Sequence, residues 1–66
     1  MSVTLYSTGC PKCRILETKL TQKNVVFNIN NNEDEMIKMG FQSLPMLEVN
    51  GELMDFGNAV RWVNGL

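Results

Sequence analysis

The sequence predicts an α/β fold in which one mixed, four-stranded sheet is flanked by three helices, in the order βαβαββα. Two β-rich runs enclose an amphipathic stretch, which predicts parallel strands joined by a right-handed helical crossover. Two further short apolar runs flank Asn50-Gly51, a dipeptide typical of tight antiparallel hairpins. The chain has 66 residues, of which 44% are hydrophobic. We therefore expect a single domain, spanning residues 1–66, with a small core.

The first half of the chain contains the predicted βαβ unit. Residues 3–6 alternate apolar and polar side chains, as a half-buried strand requires. From Lys12 to about Lys23, helical spacing brings three apolar side chains onto one face, those of Cys13, Leu16 and Leu20. The β-branched and aromatic residues of segment 25–29 predict the second strand.

The second half begins with a short helix whose start and end are both marked. Asn32 and Glu35 have the spacing of a capping box, acidic residues fill the first turn, and Gly40 provides the stop. Segments 46–49 and 52–54 are the strands of the hairpin. The last helix is predicted by an apolar stripe at Phe56, Ala59, Val60 and Val63.

Composition narrows the possible functions. The net charge is −1, which gives no electrostatic reason to expect nucleic acid or membrane binding. No apolar run approaches the ~20 residues of a membrane span. The start lacks a signal-peptide pattern, so we expect the protein in the cytoplasm. We also expect it to be a monomer. The chain contains no histidine, which removes the usual general base and the commonest metal ligand.

Cys10 and Cys13 lie between the first predicted strand and the first helix, in the run Cys10-Pro11-Lys12-Cys13. A C-x-x-C run in this position is typical of redox proteins. Pro11 suits the first helical position, so Cys10 becomes the N-cap and its sulfur faces the free N–H groups of Lys12 and Cys13. The positive end of the helix dipole and the Lys12 charge both favour a Cys10 thiolate.

These unequal environments assign different roles to the two thiols. Cys10 would attack a substrate disulfide, and the more buried Cys13 would resolve the mixed disulfide. Three other interpretations stay open. The cysteines could belong to an intermolecular zinc site, because two thiols without histidine fall short of the usual four ligands. They could form a purely structural disulfide, although the loop is short, or be incidental in a binding module.

The element order is a minimal thioredoxin-like arrangement. The Cys-Pro-Lys-Cys run follows Leu5-Tyr6-Ser7, and Ser43-Leu44-Pro45 precedes the third strand. In these features the chain resembles the glutaredoxins over essentially its whole length. The resemblance implies that the Leu44–Pro45 bond is cis and that the Leu44 backbone pairs with an extended substrate. It also implies a glutathione-binding groove lined by Cys10, Pro11, Lys12, Leu44 and Pro45. Tyr6, at the end of the first strand, could line this groove or pack across strands.

The chain departs from the glutaredoxin pattern at two places. Loop 7–9 has no basic residue, and the usual Gly-Gly pair is replaced by Asp55-Phe56-Gly57-Asn58. Asn58 or Asp55 would have to replace the missing contacts to glutathione, although Asp55 also suits a helix N-cap. The expected partners are disulfide-containing protein substrates and a reductant, either glutathione or thioredoxin reductase. The latter serves small glutaredoxin-like donors to ribonucleotide reductase. We expect no bound cofactor and no metal.

Overall fold

The computed structural model describes residues 2–66, and it contains three helices and four strands in the predicted order. They are β1 (Val3–Tyr6), α1 (Pro11–Gln22), β2 (Asn28–Asn30), α2 (Glu33–Lys38), β3 (Met46–Val49), β4 (Glu52–Met54) and α3 (Phe56–Asn64). The strands form one sheet in the order β2-β1-β3-β4. β1 is parallel to β2 and antiparallel to β3, and β3 is antiparallel to β4. This mixed α/β arrangement is compatible with a thioredoxin-like fold.

The main core lies on one face of the central strand pair, β1 and β3. Leu5 is paired with Leu47, and Val3 with Val49. Because side chains alternate along a strand, these four residues point to the same face. Helices α1 and α3 pack against each other, and the cluster on this face includes Leu16, Leu20, Ala59 and Val63.

The opposite face of β1 is covered near Tyr6 by the end of α2. Tyr6 is 5% exposed, and its ring packs edge-on against Phe41 with centroids 5.0 Å apart. Gly40 has φ +78°, and it ends α2 through hydrogen bonds from Gly40 N–H to the Ile37 carbonyl and from Phe41 N–H to the Met36 carbonyl. This is a Schellman motif, whose next residue usually makes an apolar contact. The Schellman motif at Gly40 therefore places the Phe41 ring in contact with Tyr6.

The predicted bounds of the second strand are wrong, because β2 covers 28–30 and not 25–29. Asn24 has φ +58°; its N–H donates to the Thr21 carbonyl, and the Val25 N–H donates to the Leu20 carbonyl. Val25 thus completes a Schellman motif at the end of α1, and it packs on the core. The β-branched residues favour a strand, but Asn24 and Val25 instead form the C-terminal end of α1, so the strand begins later.

The hairpin between β3 and β4 has the predicted two-residue turn. Asn50 and Gly51 have φ values of +51° and +86°, as a type I′ turn requires. Ser2 fixes the turn to the start of β1. Its N–H donates to Asn50 Oδ1 at 2.9 Å, and its carbonyl accepts the Asn50 N–H at 2.8 Å.

We predict that Gly51→Ala lowers the free energy of unfolding by about 1–2 kcal/mol, because a side chain is unfavourable at this positive φ. Gly57→Ala is the matched control. Gly57 lies in the first turn of α3, where an added Cβ would meet only Asp55 Oδ1, at 3.8 Å, so this variant should gain about 0.5–1 kcal/mol. Urea unfolding followed by Trp62 fluorescence measures both. Equal effects of the two substitutions would contradict the turn assignment.

Candidate active site

Two loops meet at one end of the sheet, and they hold three of the residues that the sequence predicts to be functional, which are Cys10, Leu44 and Pro45. Tyr6 pairs with Met46 at the last rung of the β1–β3 ladder. The chain after Tyr6 and the chain before Met46 therefore run side by side beyond the sheet. The first loop leads to Cys10, and the second contains Leu44 and Pro45. The Leu44–Pro45 peptide bond is cis, as expected, and Pro45 is fully buried.

Cys10 occupies the N-cap of α1. Its backbone is extended, with φ −66° and ψ 163°, and Pro11 takes the first helical position. Cys10 Sγ accepts the Cys13 N–H at 3.2 Å, which satisfies one of the N–H groups left free at a helix start. Cys10 and Cys13 form a disulfide, with their Cα atoms 5.0 Å apart. The predicted cap is present, with Cys13 as the donor.

The two sulfur positions differ in accessibility. Cys13 is completely buried on the core-facing side of α1, whereas Cys10 is half-buried. An incoming thiolate can therefore approach the disulfide from the Cys10 side. Attack at Cys10 Sγ would release Cys13 as the leaving thiolate.

Ser7 is a buried polar residue of this site that sequence reasoning missed. It is 5% exposed, its N–H donates to the Asn30 carbonyl at 3.1 Å, and its Oγ accepts the Gly9 N–H at 3.2 Å. The Ser7–Gly9 bond fixes the loop immediately before Cys10. A serine two residues before a glycine is a recognisable turn signal, and it could have been used here.

Lys12 and Asp55 both interact at the start of α3. Lys12 Nζ lies 5.6 Å from the centre of the Phe56 ring, within range of a cation–π interaction. Asp55 is the N-cap of α3, and its Oδ1 accepts the Asn58 N–H at 2.9 Å. Lys12 thus links the start of α1 to the start of α3. Roles for Pro11, Lys12, Leu44, Pro45, Tyr6 and Asn58 in substrate binding stay predictions.

Three open cavities adjoin the loop before Cys10. The one next to Pro11, of about 510 Å³, is lined by Gly9, Pro11, Arg14 and Ile15. The other two lie towards α2. One of these, of about 350 Å³, is lined by Thr8, Glu33, Met36, Ile37, Phe41 and Leu44. The other, of about 450 Å³, is lined by Ser7, Thr8, Gly9, Glu17, Ile29, Asn31 and Glu33. Thr8 and Glu33 border both of these cavities towards α2, and neither of the two linings includes a lysine or an arginine.

Neither a metal centre nor a membrane span is found in residues 2–66. No three His, Cys, Asp or Glu side chains of these residues converge as metal ligands would. None of the helices formed by the same residues combines the length and the apolar character needed to cross a bilayer.

Comparison with models of known protein families finds no match to this chain, and comparisons with curated proteins and with solved structures find none either. The Cys10–Cys13 disulfide and the mixed α/β architecture are consistent with a redox role. That broad assignment rests on the geometry of the two cysteines.

We predict that Tyr6 titrates above its ordinary pKa of 10.0. Burial raises the pKa of Tyr6, and the negative charges of Glu48 and Glu35 raise it further. Since the chain has one tyrosine, absorbance at 295 nm reports this phenol alone. Its midpoint should lie above 10.0 in the folded protein and return to the ordinary value in denaturant.

The same shift makes a prediction for stability. The folded state holds the phenol proton more tightly, so Tyr6 ionisation should lower stability as the pH rises above the unfolded pKa and through the folded one. Tyr6→Phe should abolish the part of the loss of stability at alkaline pH that arises from ionisation of this phenol. Trp62 fluorescence and circular dichroism check that the chain is still folded during the titration. A native midpoint at or below 10.0 would contradict the burial argument.

Proposed function

We propose that this protein is a thiol–disulfide oxidoreductase of glutaredoxin-like type. One observation carries the proposal: the half-buried Cys10 caps α1, with its sulfur on the Cys13 N–H, while Cys13 is fully buried beside it. In the reduced protein, the same N–H and the helix dipole would stabilise a Cys10 thiolate. A cysteine with that environment is suited to nucleophilic attack. The cytoplasm and a monomeric state are part of the proposal.

The proposed cycle transfers two electrons. The Cys10 thiolate attacks one sulfur of a substrate disulfide, forming a Cys10–substrate bond and releasing the other substrate sulfur as a thiolate. The Cys13 thiol then loses its proton to solvent and attacks Cys10 Sγ, which releases the second substrate thiolate and leaves the Cys10–Cys13 disulfide. A dithiol reductant, or two molecules of a monothiol, returns two electrons to the pair.

The resemblance to glutaredoxins supports a docking role for the second loop. In an extended substrate, the backbone beside the reacting cysteine would pair with Leu44 as an added strand. Pro11 and Pro45 would border this groove. Protein disulfides and glutathione mixed disulfides are the proposed substrates.

The identity of the reductant depends on charge at the site. Glutathione carries two carboxylates. The two cavities that border Glu33 contain carboxylates without a cation, and the third cavity, next to Pro11, contains a single cation, Arg14. Lys12 lies over Phe56, and Asp55 occupies the start of α3 as an anionic cap. These observations favour the alternative reductant, thioredoxin reductase, over glutathione.

We expect Cys10→Ser to reduce the disulfide-reducing activity to background, because a serine hydroxyl does not replace the thiolate nucleophile. Bis(2-hydroxyethyl) disulfide, which is small and uncharged, is the substrate, and the chemically reduced protein is assayed for single turnover. Cys13→Ser should instead accumulate a covalent adduct, detected by mass spectrometry.

The double variant, with serine at positions 10 and 13, is the control and should form no adduct. A structural disulfide or an incidental pair in a binding module predicts that Cys13→Ser forms the adduct no faster than a small free thiol such as 2-mercaptoethanol does at the same pH. That result, or full activity of Cys10→Ser, would overturn the proposed function.

We also expect glutathione to reduce the oxidised protein with weak saturation. Each missing charge-assisted hydrogen bond costs about 1.5–3 kcal/mol, so two such losses weaken binding by ~10²-fold or more. Thioredoxin reductase with NADPH should be the better donor. Tight, saturable dependence on glutathione would show that Asn58, Asp55 or Lys12 provides the missing contacts.

Two lysine substitutions test directly whether a missing positive charge limits the reaction with glutathione. Thr8 is exposed, two residues before Cys10, and Thr18 is exposed more than two turns along α1 from it. Thr8→Lys should raise kcat/KM for glutathione about tenfold by adding one charge-assisted contact. Thr18→Lys adds the same charge away from the disulfide and should leave the value unchanged.

A further inference from the structure

The cavity between α2 and the Leu44–Pro45 loop combines apolar side chains with one carboxylate. We call it the α2 groove, and it is lined by Thr8, Glu33, Met36, Ile37, Phe41 and Leu44. Thr8 precedes Cys10 by two residues, and Leu44 precedes the cis proline. The α2 groove therefore connects the two loops that hold the candidate active site.

Most of the α2 groove is apolar. Ile37 is 74% exposed although it is a large aliphatic residue, while the preceding residue, Met36, is buried at 4% exposure. Phe41 and Leu44 are half-buried. An apolar side chain entering the α2 groove would cover Ile37 and gain the free energy of removing both surfaces from water.

The rim of the α2 groove is negatively charged. Glu33 and Ile37 are four residues apart on α2, so they lie on the same helix face. Glu33 also borders the adjoining cavity, where Glu17 is a second carboxylate. Glu35 differs, because its Oε2 accepts a hydrogen bond from Asn30 Nδ2 at 3.2 Å, which directs it towards β2. A ligand in the α2 groove thus meets an apolar wall and an adjacent negative charge.

We propose that the α2 groove selects protein substrates in which the reacting cysteine is flanked by an apolar side chain and a basic one. The apolar side chain packs on Ile37 and Phe41, and the basic side chain pairs with Glu33. This inference rests on the proposed oxidoreductase function and adds no new chemical step. It extends that function to the class of segment that reaches Cys10.

The test uses short peptides with neutral ends, each carrying one cysteine in a mixed disulfide with 2-mercaptoethanol. The core sequences are Leu-Cys-Arg, Leu-Cys-Glu and Ser-Cys-Arg, each also made in the reverse order. The second-order rate constant for a single turnover of the reduced full-length protein with each peptide is measured at low salt. In at least one order, the Leu/Arg peptide should exceed the Leu/Glu peptide by about fivefold, as an exposed ion pair allows, and the Ser/Arg peptide by about tenfold.

Matched variants locate the effect. Glu33→Lys should reverse the preference between arginine and glutamate, whereas Asp34→Lys should not. It makes the same charge change in the same turn, but Asp34 lines neither of the cavities that Glu33 borders. Ile37→Ser should remove the preference for leucine. Val26→Ser should retain it, because Val26 is 90% exposed and lies outside the α2 groove. In 1 M salt the Debye length is only ~3 Å, so the charge preference should disappear.

The possible outcomes separate this proposal from the one on which it rests. If bis(2-hydroxyethyl) disulfide is reduced but all peptides react equally, the α2 groove proposal is overturned and the oxidoreductase function stands. If Asp34→Lys changes the preference as much as Glu33→Lys, overall surface charge is the cause, and the proposal is again overturned. If no disulfide is reduced at all, the function itself is wrong.

Discussion

The antiparallel ladder between β1 and β3 determines both the core and the position of the two loops of the candidate active site. Leu5 and Leu47 are opposite each other on the core face, and Tyr6 and Met46 close the ladder on the other. A slip of one residue would move each side chain of a strand to the wrong face. It would also displace Pro45 relative to the loop that leads to Cys10. The burial of a few aliphatic side chains therefore fixes the geometry of the disulfide site.

The hydrogen bond from the Cys13 N–H to Cys10 Sγ couples helix α1 to the redox state. A helix start interacts more favourably with a negative charge than with a neutral sulfur. The same cap should therefore stabilise a reduced, ionised Cys10 more than it stabilises the disulfide. Stabilising the reduced form makes the oxidised form a stronger oxidant. Local helix capping and the proposed electron transfer thus depend on one atom, Cys10 Sγ.

Features set by neighbouring residues could be predicted from the sequence, whereas those set by distant contacts could not. The Cys10 cap, the Asp55 cap and the Asn50-Gly51 turn each depend on two to four adjacent residues. The predicted start of β2 is wrong because Asn24 has the αL conformation and Val25 therefore terminates α1. At α2, Asn32 accepts the Glu35 N–H as predicted, but the Glu35 carboxylate binds Asn30 and the Asn32 N–H donates to Asn30 Oδ1. The contact of Phe41 with Tyr6 needs the whole path of the chain, and no periodicity in the sequence indicates it.

In the proposed function, helix α2 is the element through which substrate choice could change without altering the two cysteines. Six residues are too few for an independently stable helix, so α2 depends on its anchors: the Asn32 cap, buried Met36 and the Phe41–Tyr6 contact. None of these anchors belongs to α1 or to the disulfide. Glu33 and Ile37 lie on the exposed surface of α2, where substitution disturbs little packing. The proposed selectivity and the proposed electron transfer therefore depend on separate helices, α2 and α1. Thr8, in the loop before Cys10, borders the α2 groove.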